Sequence, residues 1–479
     1  MTELHFMDYI LDNIHGYIAL TQMESEIEEL PVFRRLRGIK QLGLTNWIFP
    51  GAEHTRYSHS LGVMHIADEM AKKLCFSPTE RQLIRVASML HDIGHYPLSH
   101  VGERAYKRQA AYALKHNIAG YAATLRVQDE ADPFFITHTL MRKSSDPFHH
   151  ETVGVAVIRK SIRIRAILEK YDINIDDVCA IITGDISNPK LIKYIQILHS
   201  EMDADRIDYL LRDTFSSGTA YGSFEINTLI KNLEMARHST YDADIIGVNA
   251  KGIMSADQFL LNRYFAYTQV FFHKHVTALT TMCEAVMAWA LSCGVFPKGS
   301  ALLRQIDDQD KNDDYFNFTD SFFMEMIKRF AANPDARCPA EITCMISRLA
   351  HFLTPDIAAP PAKHNIIISG KDNRILLSAL EEAAPFEDPP ATMTFSTFNE
   401  SFLTRHVRLP DFVRVYNERA AAFGLGMSLD DILMHRLING VAFIDSDNSE
   451  IRLLHDSNAS LVKDLCRHRT LFLRTYDIS

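Results

Sequence analysis

The chain holds 479 residues, 47% hydrophobic and 23% charged, an ordinary globular composition that excludes a disordered or collagenous protein. Its 50 Lys and Arg against 60 Asp and Glu leave a formal charge of −10, which argues against a nucleic-acid coat or a polybasic membrane binder. Seven cysteines, an odd number without a C-x-x-C pair, speak against a disulfide framework or zinc ribbon and fit a reducing, cytoplasmic compartment.

The first residues carry acids early and lack a basic region followed by an apolar run, so no secretory signal is expected. From there to about residue 300 the pattern is mostly helical. Residues 53–74 place Leu61, Met64, Ala67, Met70 and Leu74 three and four apart, predicting an amphipathic helix. Ser77, Pro78 and Glu80 read as N-cap, first helical residue and capping-box partner of a second helix. That helix carries Leu83, Val86, Ala87 and Leu90 on one face and stops near Gly94 and Pro97. Residues 100–150 show no clear periodicity and read equally as a lid or a plain insertion, about 101–149. Residues 153–168 and 191–212 are further helix candidates, and 245–254 reads as a hairpin turning at 249–252. The most membrane-like stretch, 276–296, contains Glu284 and several Thr and reads as a buried helix of a soluble core. Beyond Leu303, an acidic run at 307–314, prolines at 355–361 and 385–390, and a hairpin at 441–454 predict a smaller mixed α+β region. The expected division is 1–300 and 301–479, without internal repeats.

The 22 histidines are the compositional oddity. His91 and Asp92 end one helix, His59 lies 32 residues upstream on a helix expected to pack beside it, and Asp205 lies on a third amphipathic helix. Singly, His91–Asp92 reads as a surface pair and Asp205 as a solvated carboxylate. Together and in this order, two imidazoles and two carboxylates from three helices would enclose one divalent metal or an adjacent pair, with positions open for water and a phosphate oxygen. Asp205, Tyr209 and Asp213 recur every four residues and form a stripe of about 12 Å along one helix.

Several ordered segments make the chain similar to the HD-domain phosphohydrolases, and within them to the deoxynucleoside triphosphate triphosphohydrolases. They are IHGYI (14–18), PVFRRLRGIKQLG (31–43), FPGAEHTRYSHSLGV (49–63), LHDIGHYPLSH (90–100), HE (150–151) and DRIDYLLRD (205–213). The resemblance implies a mainly α fold, a helical HD-domain phosphohydrolase core with a smaller mixed α+β C-terminal region. It implies His59, His91, Asp92 and Asp205 as ligands of a divalent ion, Mg, Mn, Fe or Zn. It places His95, His100 and His150 in phosphate binding and proton transfer, with Glu103 and Glu151 orienting them. Gln41, Tyr209 and Asp213 would meet the deoxyribose, and Arg56, Arg206, Arg263 and Lys274 the phosphates. The implied reaction is hydrolysis of a dNTP to deoxynucleoside and inorganic triphosphate. A homo-oligomer follows from the same resemblance, with no stable nucleic-acid or membrane partner. A regulatory nucleotide is left open near Glu29, Arg34 and Arg37, where Glu and Arg replace the residues a guanine-specific site would prefer. Two alternatives stand beside this: another HD activity on phosphomonoesters, phosphodiesters or nucleic acid, and a nucleotide-binding regulatory protein without turnover.

Overall fold

The computed structural model describes residues 3–112, 149–297, 315–336, 338–352, 362–370, 394–400, 434, 437–445, 450–454, 460–461 and 469–477. The chain opens with an antiparallel hairpin, β1 (Phe6–Asp12) and β2 (Gly16–Thr21), where the sequence pattern suggested helix. Its turn is built by Asp12, whose Oδ1 accepts the amides of Ile14 and His15, and by Gly16 at φ 70. Met7, Tyr9 and Leu11 face solvent while Ile18 and Leu20 are buried, so apolar residues on both faces blur the period-2 signal.

Helices α1 (Gln22–Glu28) and α2 (Pro31–Arg34) lead to α3 (Arg56–Lys73) and α4 (Pro78–Leu90), which pack together. The capping box expected at Ser77 is formed: its hydroxyl accepts the Glu80 amide and Glu80 Oε2 accepts the Ser77 amide at 2.8 Å. Residues 100–112 depart from the aperiodic reading, because α5 runs over His100–Tyr112; the rest of the expected insertion, 113–148, lies outside the described residues. The helix expected over 153–168 is two, α6 (His150–Lys160) and α7 (Ile162–Lys170), divided at Ser161, whose hydroxyl caps α7. After α8 (Ile175–Ile182), the stretch 191–212 likewise divides into α9 (Ile192–His199) and α10 (Ala204–Ser217). Asp203 caps α10, and Gly218 ends it at φ 69.

After α11 (Ile226–Lys231), β3 (Leu233–His238) pairs with β4 (Ala243–Val248). The hairpin therefore precedes the predicted turn: Asn249 instead caps a short turn that leads into α12 (Ile253–Ala266). A π-turn at Tyr267–Phe271 joins α12 to α13 (Lys274–Ser292), which is buried along most of its length. Among the described residues no helix is long and apolar enough to cross a membrane.

The C-terminal region contributes α14 (Asp320–Ala332), α15 (Ala340–Phe352), a sheet of order β5–β9–β6 (Ala362–Gly370, Arg469–Asp477, Thr394–Glu400), and the expected hairpin β7 (Ala442–Asp445) with β8 (Glu450–Leu453). The acidic run at 307–314 and the prolines at 355–361 and 385–390 fall outside the described residues. The expected boundary at 300 does not separate two cores. Strand β7 pairs in parallel with β4, giving one sheet of order β3–β4–β7–β8, and Phe318, Phe323, Ile327 and Leu349 belong to the same apolar core as α3 and α4. Polar contacts cross the boundary as well. Arg35 Nη1 donates to the Phe318 carbonyl at 2.7 Å, and the buried Asp320 carboxylate accepts the amides of Lys40 and Leu98 at 2.9 and 2.7 Å.

A candidate metal and proton-transfer site

Two helices and one turn bring the four expected metal ligands together. His59 sits in the first turn of α3, His91 and Asp92 in the turn that ends α4, and Asp205 in the first turn of α10. His59 Nε2 lies 3.0 Å from Asp205 Oδ1 and 3.7 Å from Asp92 Oδ2, while His91 Nε2 lies 3.4 Å from Asp92 Oδ1 and 4.0 Å from Asp205 Oδ1. Metal–ligand bonds of about 2.0–2.2 Å set neighbouring donor atoms about 3–3.5 Å apart, close to this spacing. The two Nε2 atoms are buried and make no hydrogen bond. Their other nitrogens are committed: His59 Nδ1 donates to Asp208 Oδ2 at 2.8 Å and His91 Nδ1 to the Ser88 carbonyl at 2.7 Å. Those bonds aim both Nε2 atoms inward, the arrangement that orients imidazole for a cation. His59, His91 and Asp92 thus fit a divalent ion, with Asp205 completing a mixed N and O donor set suited to Mn, Fe, Zn or Mg.

Burial pushes the His59 imidazole down, but the nearby Asp205 carboxylate and the hydrogen-bonded Asp208 outweigh it and carry it up to about 9 from 6.5. In the metal-free chain His59 then holds its proton at neutral pH. That protonated form supports the metal-free fold below pH 6.5, and the support fades as pH rises through about 9. A cation must displace this proton. Calorimetry in buffers of different ionisation enthalpy is therefore expected to show about one proton released per metal at pH 7.5, with affinity rising about tenfold per pH unit towards 9. Binding with no proton release would contradict it.

Beside the metal ligands stands a group of imidazoles. His95 stacks on His150 with ring centroids 4.1 Å apart, and His100 lies 4.9 Å from His95. Glu103 organises them: its Oε2 accepts from His150 Nδ1 at 2.7 Å and from His100 Nδ1 at 3.2 Å. Burial, with Arg56 and His150 nearby, drives His95 well below its usual value, so it is neutral. Burial also works against a charge on His150, yet Glu103, Glu151 and Asp92 raise it. Two stacked imidazoles pushed in opposite directions have the electrostatics that suit a proton acceptor beside a proton donor. Glu151 itself faces His149 and His199, at 3.6 and 3.8 Å, and its charge raises His150.

The expected phosphate contacts arrive paired. Arg56 Nη1 donates to Asp92 Oδ2 at 2.7 Å and Arg56 Nε to Ser99 Oγ at 2.9 Å. Arg206 is bound to Asp203, and Arg263 Nη1 to Glu201 Oε2 at 2.5 Å. Lys274 opens α13 and is half-buried. Among the sugar candidates, Gln41 Oε1 and the Tyr209 hydroxyl are buried without hydrogen-bond partners, and Asp213 Oδ1 is 2.7 Å from His54 Nε2. His54, Ser99, Asp208 and Arg212 join the site although none is in the expected set. The signal for Asp208 is in DRIDYLLRD: it stands three residues after Asp205 and four before Arg212, the spacing of helical ion pairs.

Residues 56–213 match the HD domain family, a span that begins with α3 and ends within α10. That span of the chain is an HD domain. The chain is 32% identical over 285 residues to an uncharacterized protein of Methanocaldococcus jannaschii, covering 58% of this chain and 49% of the relative. It is 25% identical over 379 residues to the human deoxynucleoside triphosphate triphosphohydrolase SAMHD1, covering 71% of this chain and 54% of that protein. It therefore spans about half the length of these curated relatives. In fold it resembles a hypothetical protein from Aquifex aeolicus, with TM-score 0.64, 22% identity and coverage of 98% and 96% of the two chains.

Proposed function

We propose that this HD-domain protein is a metal-dependent phosphohydrolase acting on deoxynucleoside triphosphates, releasing deoxynucleoside and inorganic triphosphate. The observation that carries the reading is helix α10. It sets Asp205 against His59, Tyr209 one turn on and Asp213 two turns on, so one rod spans metal centre and sugar over about 12 Å. The unpartnered Tyr209 hydroxyl and Gln41 Oε1 are buried polar atoms that a ligand's hydroxyls would satisfy. The likeness to SAMHD1 supports the same substrate class.

His59, His91, Asp92 and Asp205 would hold a divalent cation, which when bound would polarise the phosphoryl group and lower the pKa of water. His150, whose protonated form Glu103 favours, is placed to donate to the departing 5′-oxygen, and neutral His95 to accept a proton or contact a phosphate. Because Arg56, Arg206 and Arg263 are already paired with carboxylates, an incoming triphosphate shares or replaces those partners. A regulatory nucleotide near Glu29, Arg34 and Arg37, a homo-oligomer and a cytoplasmic setting belong to the same proposal. Arg34 and Arg37 both donate to Glu28, at 2.9 and 3.1 Å, so such a nucleotide would compete with that carboxylate.

Incubating the full chain with each dNTP and NTP plus Mg²⁺ or Mn²⁺, and resolving the products, tests the reading. Nucleoside and triphosphate are expected. Nucleoside monophosphate with pyrophosphate, or no turnover of any dNTP, would replace it. Tyr209→Ala is expected to lower discrimination between a dNTP and its ribonucleotide by about tenfold in kcat/KM; unchanged discrimination removes Tyr209 from the sugar site.

A further inference from the structure

The turn of the N-terminal hairpin reaches the metal centre through side chains. Asp208, fully buried on α10, has each carboxylate oxygen used twice. Its Oδ1 accepts from His15 Nε2 at 2.6 Å and Arg212 Nη2 at 2.9 Å; its Oδ2 accepts from His59 Nδ1 and Arg212 Nε, both at 2.8 Å. Four donors on four lone-pair directions fix the plane of the carboxylate, and that plane fixes the His59 ring. Arg212 is held in turn, since its Nη1 donates to Asp12 Oδ2 at 2.7 Å. Asp12 thereby does two things: its Oδ1 shapes the turn that presents His15, and both oxygens anchor the guanidinium, Oδ2 at 2.7 Å and Oδ1 at 3.2 Å. A buried ion pair alone would need Arg212 and Asp208 only. The hairpin, 193 residues away, adds a donor in His15 and an acceptor for Arg212 in Asp12, both serving the group that orients His59.

We infer that His15 and Asp12 are positioning residues for the metal centre, acting through Asp208 on the orientation and tautomer of His59. The inference rests on the metal reading of the site but not on the substrate, so hydrolysis is not its readout. Groups that orient a ligating imidazole through a carboxylate are worth about ten- to hundredfold in metal affinity.

The test is Mn²⁺ binding to the full chain, by calorimetry or electron paramagnetic resonance, with Tm of the metal-free protein in parallel. His15→Ala is expected to weaken Mn²⁺ binding about ten- to hundredfold. His15→Gln, which keeps a donor within reach of Asp208 Oδ1, is expected to restore most of it. His65→Ala removes a ring 5.2 Å from His15 with no recorded bond to Asp208, and is expected to bind as the parent does. If His15→Ala does not fold, Asp12→Asn decides: it keeps a turn acceptor, weakens the hold on Arg212 and is expected to bind Mn²⁺ several-fold less tightly. Parent-like affinity in folded His15→Ala, or in Asp12→Asn if that is the variant that folds, overturns the inference. Equal loss in His65→Ala does so too, since the effect would then be general packing. A parent chain that takes up no Mn²⁺ overturns the metal reading and this inference together, whereas absent dNTP hydrolysis with intact Mn²⁺ binding overturns only the substrate.

Discussion

His91→Ala is expected to lower dNTP hydrolysis by about three orders of magnitude or more and to strip bound metal, while the chain stays folded. On the proposed reading the imidazole would give one Nε2 donor to the cation, and its Nδ1 is bonded to the Ser88 carbonyl. Loss of a ligand that sustains several kcal/mol of transition-state stabilisation converts to a fall of this size, at about 1.4 kcal/mol per tenfold. Asp92 needs a milder change. Its carboxylate also receives buried Arg56, so Asp92→Ala would strand a cation and confuse loss of chemistry with loss of fold. Asp92→Asn keeps an oxygen for Arg56 and isolates the chemical effect. Metal content by mass spectrometry and product formation are the measurements. Turnover near the parent rate in metal-depleted His91→Ala would remove this site from the reaction.

Gly62→Ala is the second large effect, and it acts on stability. A Cβ at position 62 would stand 1.9 Å from Asp208 Oδ1 and 2.5 Å from Arg212 Nη2. Neither neighbour is a loose chain end: both are buried and bound to each other and to the hairpin. One methyl therefore forces α3 from α10 or breaks the ion pair, at about 3 kcal/mol or more. Denaturant unfolding is expected to show the loss, with weakened metal binding in whatever remains folded. Ordinary stability in Gly62→Ala would mean that the two helices do not approach as closely as described.

The meeting of His59, His91, Asp92 and Asp205 was legible because each sits at a position a pattern can locate: the end of a capped helix for His91 and Asp92, and amphipathic helices for His59 and Asp205. Asp208 was not, because its importance comes from burial against α3, and one glycine at 62 is a slender sign of a close approach. The hairpin escaped for a different reason. Apolar Met7, Tyr9 and Leu11 on its outer face hide the alternation that marks a strand. Helix and strand periods also say nothing of which segments meet across the chain, so the joining of β4 to β7 and the role of Asp320 emerge only from the fold. Asp203 lay in plain view before Arg206, three residues apart, yet the pairing that occupies the expected phosphate cation needs the geometry to be seen.

Asp320 has a consequence for how the protein comes into being. It accepts the amide of Lys40, 280 residues earlier, and that of Leu98, beside the turn carrying His95 and His100. On a ribosome, the loop that presents those histidines lacks this anchor until residue 320 has left the exit tunnel. Contacts so distant in sequence form late and fold slowly, because the intervening loop must first be closed. The loop carrying His95 and His100 is therefore pinned from a segment made more than two hundred residues later, so its final placement waits on the synthesis of α14.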